Sequence, residues 1–284
     1  MRLQLTKPFL LFVIVTTTVS YACCQIVNRS KSNNFLYFFP DKSLAQFVAE
    51  KLNKKITDVV STKELANITG DFEVGPGAGD VTNLKGIGYL TGIDTFSCYK
   101  NDVTEIPAEI GRLTNLKYLD LCKAFELQKL PKEIGQLKHL KMIRLCLTEL
   151  SAIPKEIGNL SELTTLWICC NELTEIPKEI GKLKNLQDLD IHSNNIVELP
   201  NEICDLTSLR TLNVSYCELQ RLPENIGNLK KLVSLNLFGD KLKYLPKSII
   251  KLDNLTYLNV YDNFKLSESY KSYLPVLLKN KKGK

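Results

Sequence analysis

The chain has little histidine, methionine or tryptophan. Its 284 residues include two histidines, His139 and His192, two methionines and a single tryptophan, Trp167. Neither histidine belongs to a His-Glu-x-x-His pattern, and no Gly-x-Ser-x-Gly nucleophile elbow occurs. The glycine-rich run from Gly75 to Gly79 lacks the lysine and the following helix of a phosphate loop. Asp190 and His192 share one face, but no activated serine accompanies them, so an enzyme is not expected. A net charge of +6 is mild for this length, and part of it sits in the tail from Lys279 to Lys284, so no nucleic-acid-binding stripe is expected. Past the N-terminus no apolar run approaches the roughly 20 residues of a membrane span.

What the chain does have is a period. Ile-Pro or Leu-Pro recurs at Pro107, Pro131, Pro154, Pro177, Pro200, Pro223 and Pro246, one step of 24 residues followed by five of 23. Self-similarity in the low twenties marks a solenoid whose units stack only on their neighbours. In the unit ending at Pro177, Leu163, Leu166, Ile168, Asn171, Leu173 and Ile176 spell L-x-x-L-x-I-x-x-N-x-L-x-x-I-P. The alternation through Leu166 and Ile168 predicts a short strand with apolar side chains inward, and Asn171 caps the turn after it. From Pro177 to Leu186 the chain returns to the next strand, with Ile180, Leu183 and Leu186 inward, as a short helix or 3-10 segment.

This pattern resembles the short "LPxxIGxLxxLxxL" form of the leucine-rich repeat. The resemblance implies an α/β fold: a curved horseshoe with a parallel sheet on its concave face, short helices or 3-10 segments on its convex face, and a helical N-terminal cap. The expected organisation is a signal peptide over 1–22, a linker over 23–34, the cap over 35–83, eight repeats over 84–267, and a C-terminal cap with a basic tail over 268–284. Arg2 and Lys7 precede the apolar run Phe9 to Val15, and Ser20 and Ala22 suit cleavage before Cys23. A cysteine at the first mature position also offers a point of lipid attachment, the one membrane association expected.

In the cap, Leu44, Phe47, Val48 and Leu52 make an amphipathic helix started by Asp41 or Ser43. Ser61 and Glu64 fit a capping box opening a second helix. The segment Asp71 to Asp80 reads as a flexible excursion. "FPDKSLAQFVAEKLNKK", "DVVSTKELANI" and "LKGIGYL" look like the cap and first repeat of the internalins, exported bacterial proteins that bind partners through the concave face. No Leu-Pro-x-Thr-Gly sorting signal follows, so covalent wall attachment is not expected.

The solvent-facing strand positions form three columns, and the binding candidates lie in them. Tyr118, Met142 and Asp188 are in the first, Arg144, Trp167 and Asp190 in the second, and His192, Phe238 and Tyr261 in the third. Aromatic residues, Met and Arg are the types enriched in interface cores. The expected partner is a protein, with glycan or lipid as the other classes such a face accepts. The alternative is an intracellular scaffold resembling the Ras-binding leucine-rich repeat proteins. No cofactor is expected.

Nine cysteines follow the repeat rather than a disulfide scaffold. Cys98 takes a core strand position, Cys217 the place of the ladder Asn and Cys204 that of the Gly in Ile-Gly. Cys122, Cys146, Cys169 and His192 form an outward row on four consecutive strands, with Cys170 nearby, which raises a metal site. Strands about 4.8 Å apart suit a straight row of four metal ligands poorly, so no metal is assigned. A Cys146–Cys169 disulfide is allowed by distance, and free thiols are the expected state.

Overall fold

The computed structural model describes residues 34–75 and 81–272. The signal-peptide segment, Cys23, most of the linker and the tail lie outside them. Nine parallel strands form one sheet in strict sequence order: β1 Gly70–Glu73, β2 Ile93–Ser97, β3 Tyr118–Asp120, β4 Met142–Arg144, β5 Thr165–Trp167, β6 Asp188–Asp190, β7 Thr211–Asn213, β8 Ser234–Asn236 and β9 Tyr257–Asn259. The middle residues Leu119, Ile143, Leu166, Leu189, Leu212 and Leu235 are paired in register and buried. They stack as one continuous apolar column.

The return segments are 3-10 helices, five residues long where they directly follow the proline, as in Lys155–Asn159 and Lys178–Lys182. Proline serves as the N-cap at each of these starts, where it forfeits no helical hydrogen bond. Close stacking explains the Ile-Gly pairs: a Cβ on Gly181 would lie 2.6 Å from the Glu202 carbonyl oxygen of the next repeat. Cys204 carries a side chain at that position, and the 3-10 segment after Pro223 begins only at Ile226.

Asparagine completes the connections between repeats. Asn194 is 3% exposed, its Oδ1 accepts from the Leu173 N–H at 3.0 Å, and its Nδ2 donates to the carbonyls of Ile168 at 2.9 Å and Ile191 at 2.8 Å. Buried backbone groups at the turn are thereby satisfied without a regular ladder.

Three helices cover the open N-terminal end: α1 Phe35–Phe38, α2 Lys42–Lys51 and α3 Thr62–Ala66. Asp41 starts α2 through a bond from the Leu44 N–H and holds the Thr82 and Asn83 N–H groups with its other oxygen, joining cap to solenoid. Both bonds of the Ser61–Glu64 capping box are present.

The structure corrects one reading of the cap. The start of the stretch from Asp71, read as a flexible excursion, belongs to β1, which pairs with β2. Phe72 is fully buried there, 5.1 Å centre to centre from Phe47 and 6.1 Å from Phe96. Only one inward residue marks this strand in the sequence, and the edge of β2 supplies the rest of its order.

Candidate functional site

Register places the expected columns side by side. Tyr118 pairs with Met142, Asp120 with Arg144, Arg144 with Trp167, and Trp167 with Asp190. The structure adds Asp71 and Glu73, which extend the first two columns onto β1.

The second column has a structural job that the strand pattern alone does not disclose. Asp120, Asp190, Asn213, Asn236 and Asn259 each accept a hydrogen bond from the N–H two residues on, at 3.0–3.3 Å. These Asx bonds turn the chain out of each strand. Their recurrence at steps of 23 residues from Asp190 to Asn259 was the available signal. Arg144 and Trp167, on the two central strands between Asp120 and Asp190, are where the Asp/Asn series breaks.

At that break the side chains interlock. The Arg144 guanidinium carbon lies 5.3 Å from the centre of the Trp167 ring, and Arg144 Nη1 is 3.0 Å from Asp120 Oδ2. Arg144 Nε is buried with no hydrogen-bond partner. Trp167, Met142 and Arg144 are half-buried, while Tyr118 is exposed. Glu73, Tyr118, Asp120, Met142 and Arg144 line a cavity of about 160 Å³ on this side. The arrangement offers a cation held between a carboxylate and an aromatic face, with a half-buried thioether beside it.

Not all the candidates join this cluster. Phe238 follows β8 and packs edge-on against Tyr216 at 5.1 Å, and Tyr261 follows β9 and is 77% exposed. At about 4.8 Å per strand both stand at least about 14 Å along the sheet from Trp167. Asp188 pairs with Thr165 and Thr211 beside the cluster. His192 belongs to a different grouping. Its Nδ1 is 2.7 Å from Asp190 Oδ1, a bond that raises its pKa against the opposing effect of burial. Its Nε2 lies 3.6 Å from Cys170 Sγ.

The cysteine row needs two corrections. Cys146 and Cys169 are joined in a disulfide across β4 and β5, with Cα atoms 4.6 Å apart, where free thiols were expected. Cys122 and Cys169, read as outward-facing, are buried, whereas Cys146 and His192 of the same row are half-buried. Burial pushes the Cys122 thiol up to about 11 and that of Cys98 up to about 12. Cys170, left out of the row, is the residue the structure brings to His192. It adopts a left-handed backbone, φ 56°, which swings its side chain away from simple strand alternation.

A second cavity of about 470 Å³ opens away from the sheet between Glu198–Glu202 and Arg221–Glu224, beside Tyr244. It coincides with the shortened 3-10 segment beyond Cys204. Arg221 bridges to Glu198 at 2.9 Å there.

The family profile described as a leucine-rich repeat region matches residues 80–173, 157–220 and 201–277. The chain is a leucine-rich repeat protein. Among solved structures, the leucine-rich repeat protein LIC12759 of Leptospira interrogans is 30% identical with a TM-score of 0.64. The match covers 76% of this chain and 60% of that one. Internalin C2 of Listeria monocytogenes, 23% identical, matches 80% of this leucine-rich repeat chain and 97% of its own at a TM-score of 0.61, a likeness of fold. The plant peptide hormone receptor RGFR1, solved with RGF2, is 27% identical over 70% of this chain and 37% of the receptor, with a TM-score of 0.55. No curated protein sequence matches. Among the described residues no helix is long and apolar enough to cross a membrane.

Proposed function

We propose that this leucine-rich repeat protein is an exported, non-enzymatic recognition module that binds a protein partner on its concave sheet. The observation that carries the reading is the Asp120–Arg144–Trp167 assembly on the central strands, where the structural Asp/Asn series is interrupted by the residue types that concentrate binding energy. The cation is held in place before any partner arrives, so little side-chain entropy is lost on binding. Tyr118, Met142, Asp188 and Asp190 surround this anchor, with His192, Phe238 and Tyr261 toward the C-terminal repeats. The solved receptor–peptide complex supports a polypeptide as the partner class for a sheet of this kind.

Export rests on the N-terminal segment 1–22, with maturation at Cys23 and the cap, repeats and C-terminal segment forming the exported body. Mass analysis of the mature N-terminus decides it: a chain beginning at Cys23, acylated or not, supports export, and an intact Met1 in cytosolic fractions overturns it in favour of an intracellular scaffold. For binding, the mature chain and its Trp167→Ala variant are compared against partners captured from surface extracts. Loss of at least about tenfold in affinity, with Lys155→Ala and Lys178→Ala unchanged, is expected. Equal binding by Trp167→Ala with loss on the lysine changes would move the contact to the convex side. Capture of polysaccharide alone would replace protein as the ligand class.

A further inference from the structure

The end of β5 meets the end of β6 in a group of soft ligands that the binding reading does not use. Sulfur atoms of Cys169 and Cys170 and a ring nitrogen of His192 all lie within 4.8 Å of one another. Two of them are already at bonding geometry for a shared ion. Around a tetrahedral Zn²⁺, a sulfur at about 2.3 Å and a nitrogen at about 2.0 Å stand roughly 3.5 Å apart, and Cys170 Sγ to His192 Nε2 is 3.6 Å.

The backbone holds this pair in fixed register. The Cys170 N–H donates to the His192 carbonyl at 2.8 Å, and the Asn171 N–H to that of Ser193 at 3.1 Å. The imidazole is oriented as well. Asp190 engages Nδ1 at 2.7 Å, which keeps a proton on that nitrogen and turns the Nε2 lone pair toward Cys170. A carboxylate behind a ligating histidine is the usual arrangement at zinc sites. Asn213 adds a second polar group, 3.4 Å from Nδ1. Cys170 and His192 are half-buried, open enough for an ion to enter.

Cys169 is the gate to this grouping, because its sulfur is tied to Cys146. A disulfide sulfur is a poor ligand, whereas a thiolate is a strong one. We propose that the reduced protein binds a thiophilic cation of the Zn²⁺ class through Cys169, Cys170 and His192, with water in the fourth position, and that the Cys146–Cys169 disulfide is the metal-free oxidised form of the same site. Reduction by a low-molecular-weight thiol breaks the S–S bond. Two reductant molecules supply two electrons and two protons and leave joined as their own disulfide. Zn²⁺ then displaces the protons of the Cys169 and Cys170 thiols to solvent, and the Cys146 thiol keeps its own. The straight row of Cys122, Cys146, Cys169 and His192 failed on strand spacing, and Cys170, reaching sideways from a left-handed turn, supplies a second sulfur beside His192 without Cys122 or Cys146.

The test uses the full-length chain with Co²⁺ as the probe, read by thiolate-to-cobalt charge transfer and visible d–d absorption, with Zn²⁺ displacing it. The reduced protein is expected to take up about one equivalent in a tetrahedral thiolate complex. The disulfide form is expected to show no such spectrum. Cys170→Ser and His192→Gln should each weaken uptake roughly tenfold or more, and Asp190→Asn, which preserves the Asx bond, should weaken it by a similar factor through the imidazole. Cys204→Ser, remote from the site, should change nothing. Circular dichroism confirms that each variant keeps its fold. A reduced protein without the tetrahedral thiolate spectrum, or one whose spectrum survives Cys170→Ser combined with His192→Gln, overturns the proposal. So does equal uptake by the disulfide form.

Discussion

Asp240 Oδ1 accepts a hydrogen bond from the Cys217 N–H at 2.8 Å, so two successive departures from the asparagine ladder meet each other. The same oxygen takes the Leu219 N–H at 3.1 Å, as an asparagine carbonyl would. Where an asparagine at this position would present its amide, Asp240 presents Oδ2, buried and without a hydrogen-bond partner. Asn263, one repeat later, shows what that side of the ladder demands, for its Nδ2 donates to the Leu237 carbonyl at 2.7 Å. A protonated carboxyl can donate there and a carboxylate cannot.

Burial accordingly raises the Asp240 pKa from 3.8 to about 7, against the two backbone bonds that favour the charged form. Between these values the folded state holds a proton that the unfolded state has lost. Stability should therefore be full below about pH 4 and fall as pH rises toward about 7, by up to about 1.4 kcal/mol per pH unit. Asp240→Asn supplies the missing donor. Urea titrations at several pH values should show that the variant lacks this slope and gains about 1–3 kcal/mol at pH 8. A variant with the parent's slope would show that Asp240 is charged in the fold.

Asn194→Ala removes one acceptor and two strong donor contacts from a buried turn. It should cost about 2–4 kcal/mol, read from the urea midpoint, because the stranded backbone groups stay buried. The exposed neighbour Asn195→Ala should cost under about 0.5 kcal/mol.

Gly181→Ala places a methyl group 2.6 Å from the Glu202 carbonyl oxygen and 2.8 Å from Glu202 Cβ. Neither neighbour is the flexible end of a side chain. The substitution should lower stability by about 1–3 kcal/mol in thermal unfolding. A neutral outcome would mean that neighbouring repeats separate freely on the convex side.

Asp120→Asn keeps the Asx bond to Cys122 and removes the charge that holds Arg144. Stability should change by less than about 1 kcal/mol, since the pair is partly exposed. Partner affinity should fall severalfold by titration calorimetry, because Arg144 then has to be ordered on binding. Unchanged affinity would remove Arg144 from the contact.

The sequence by itself determined the solenoid. A 23-residue recurrence of proline, leucine and asparagine admits one way of burying its apolar column, and the two-residue alternation around Leu166 and Ile168 assigns the outward columns before any fold is seen. Tyr118, Met142, Arg144 and Trp167 therefore came out adjacent, as their shared phase required. Contacts outside that phase were decided by tertiary structure. β1 has a single inward residue, Phe72, and becomes a strand because β2 presents an unpaired edge. Cys170 meets His192 because the left-handed residue that recurs after each strand turns its side chain out of the column, and which neighbour it then meets is set by how the repeats stack. The Cys146–Cys169 bond and the Asp240–Cys217 contact depend on distances of a few ångströms between neighbouring repeats, which only the stacked chain sets.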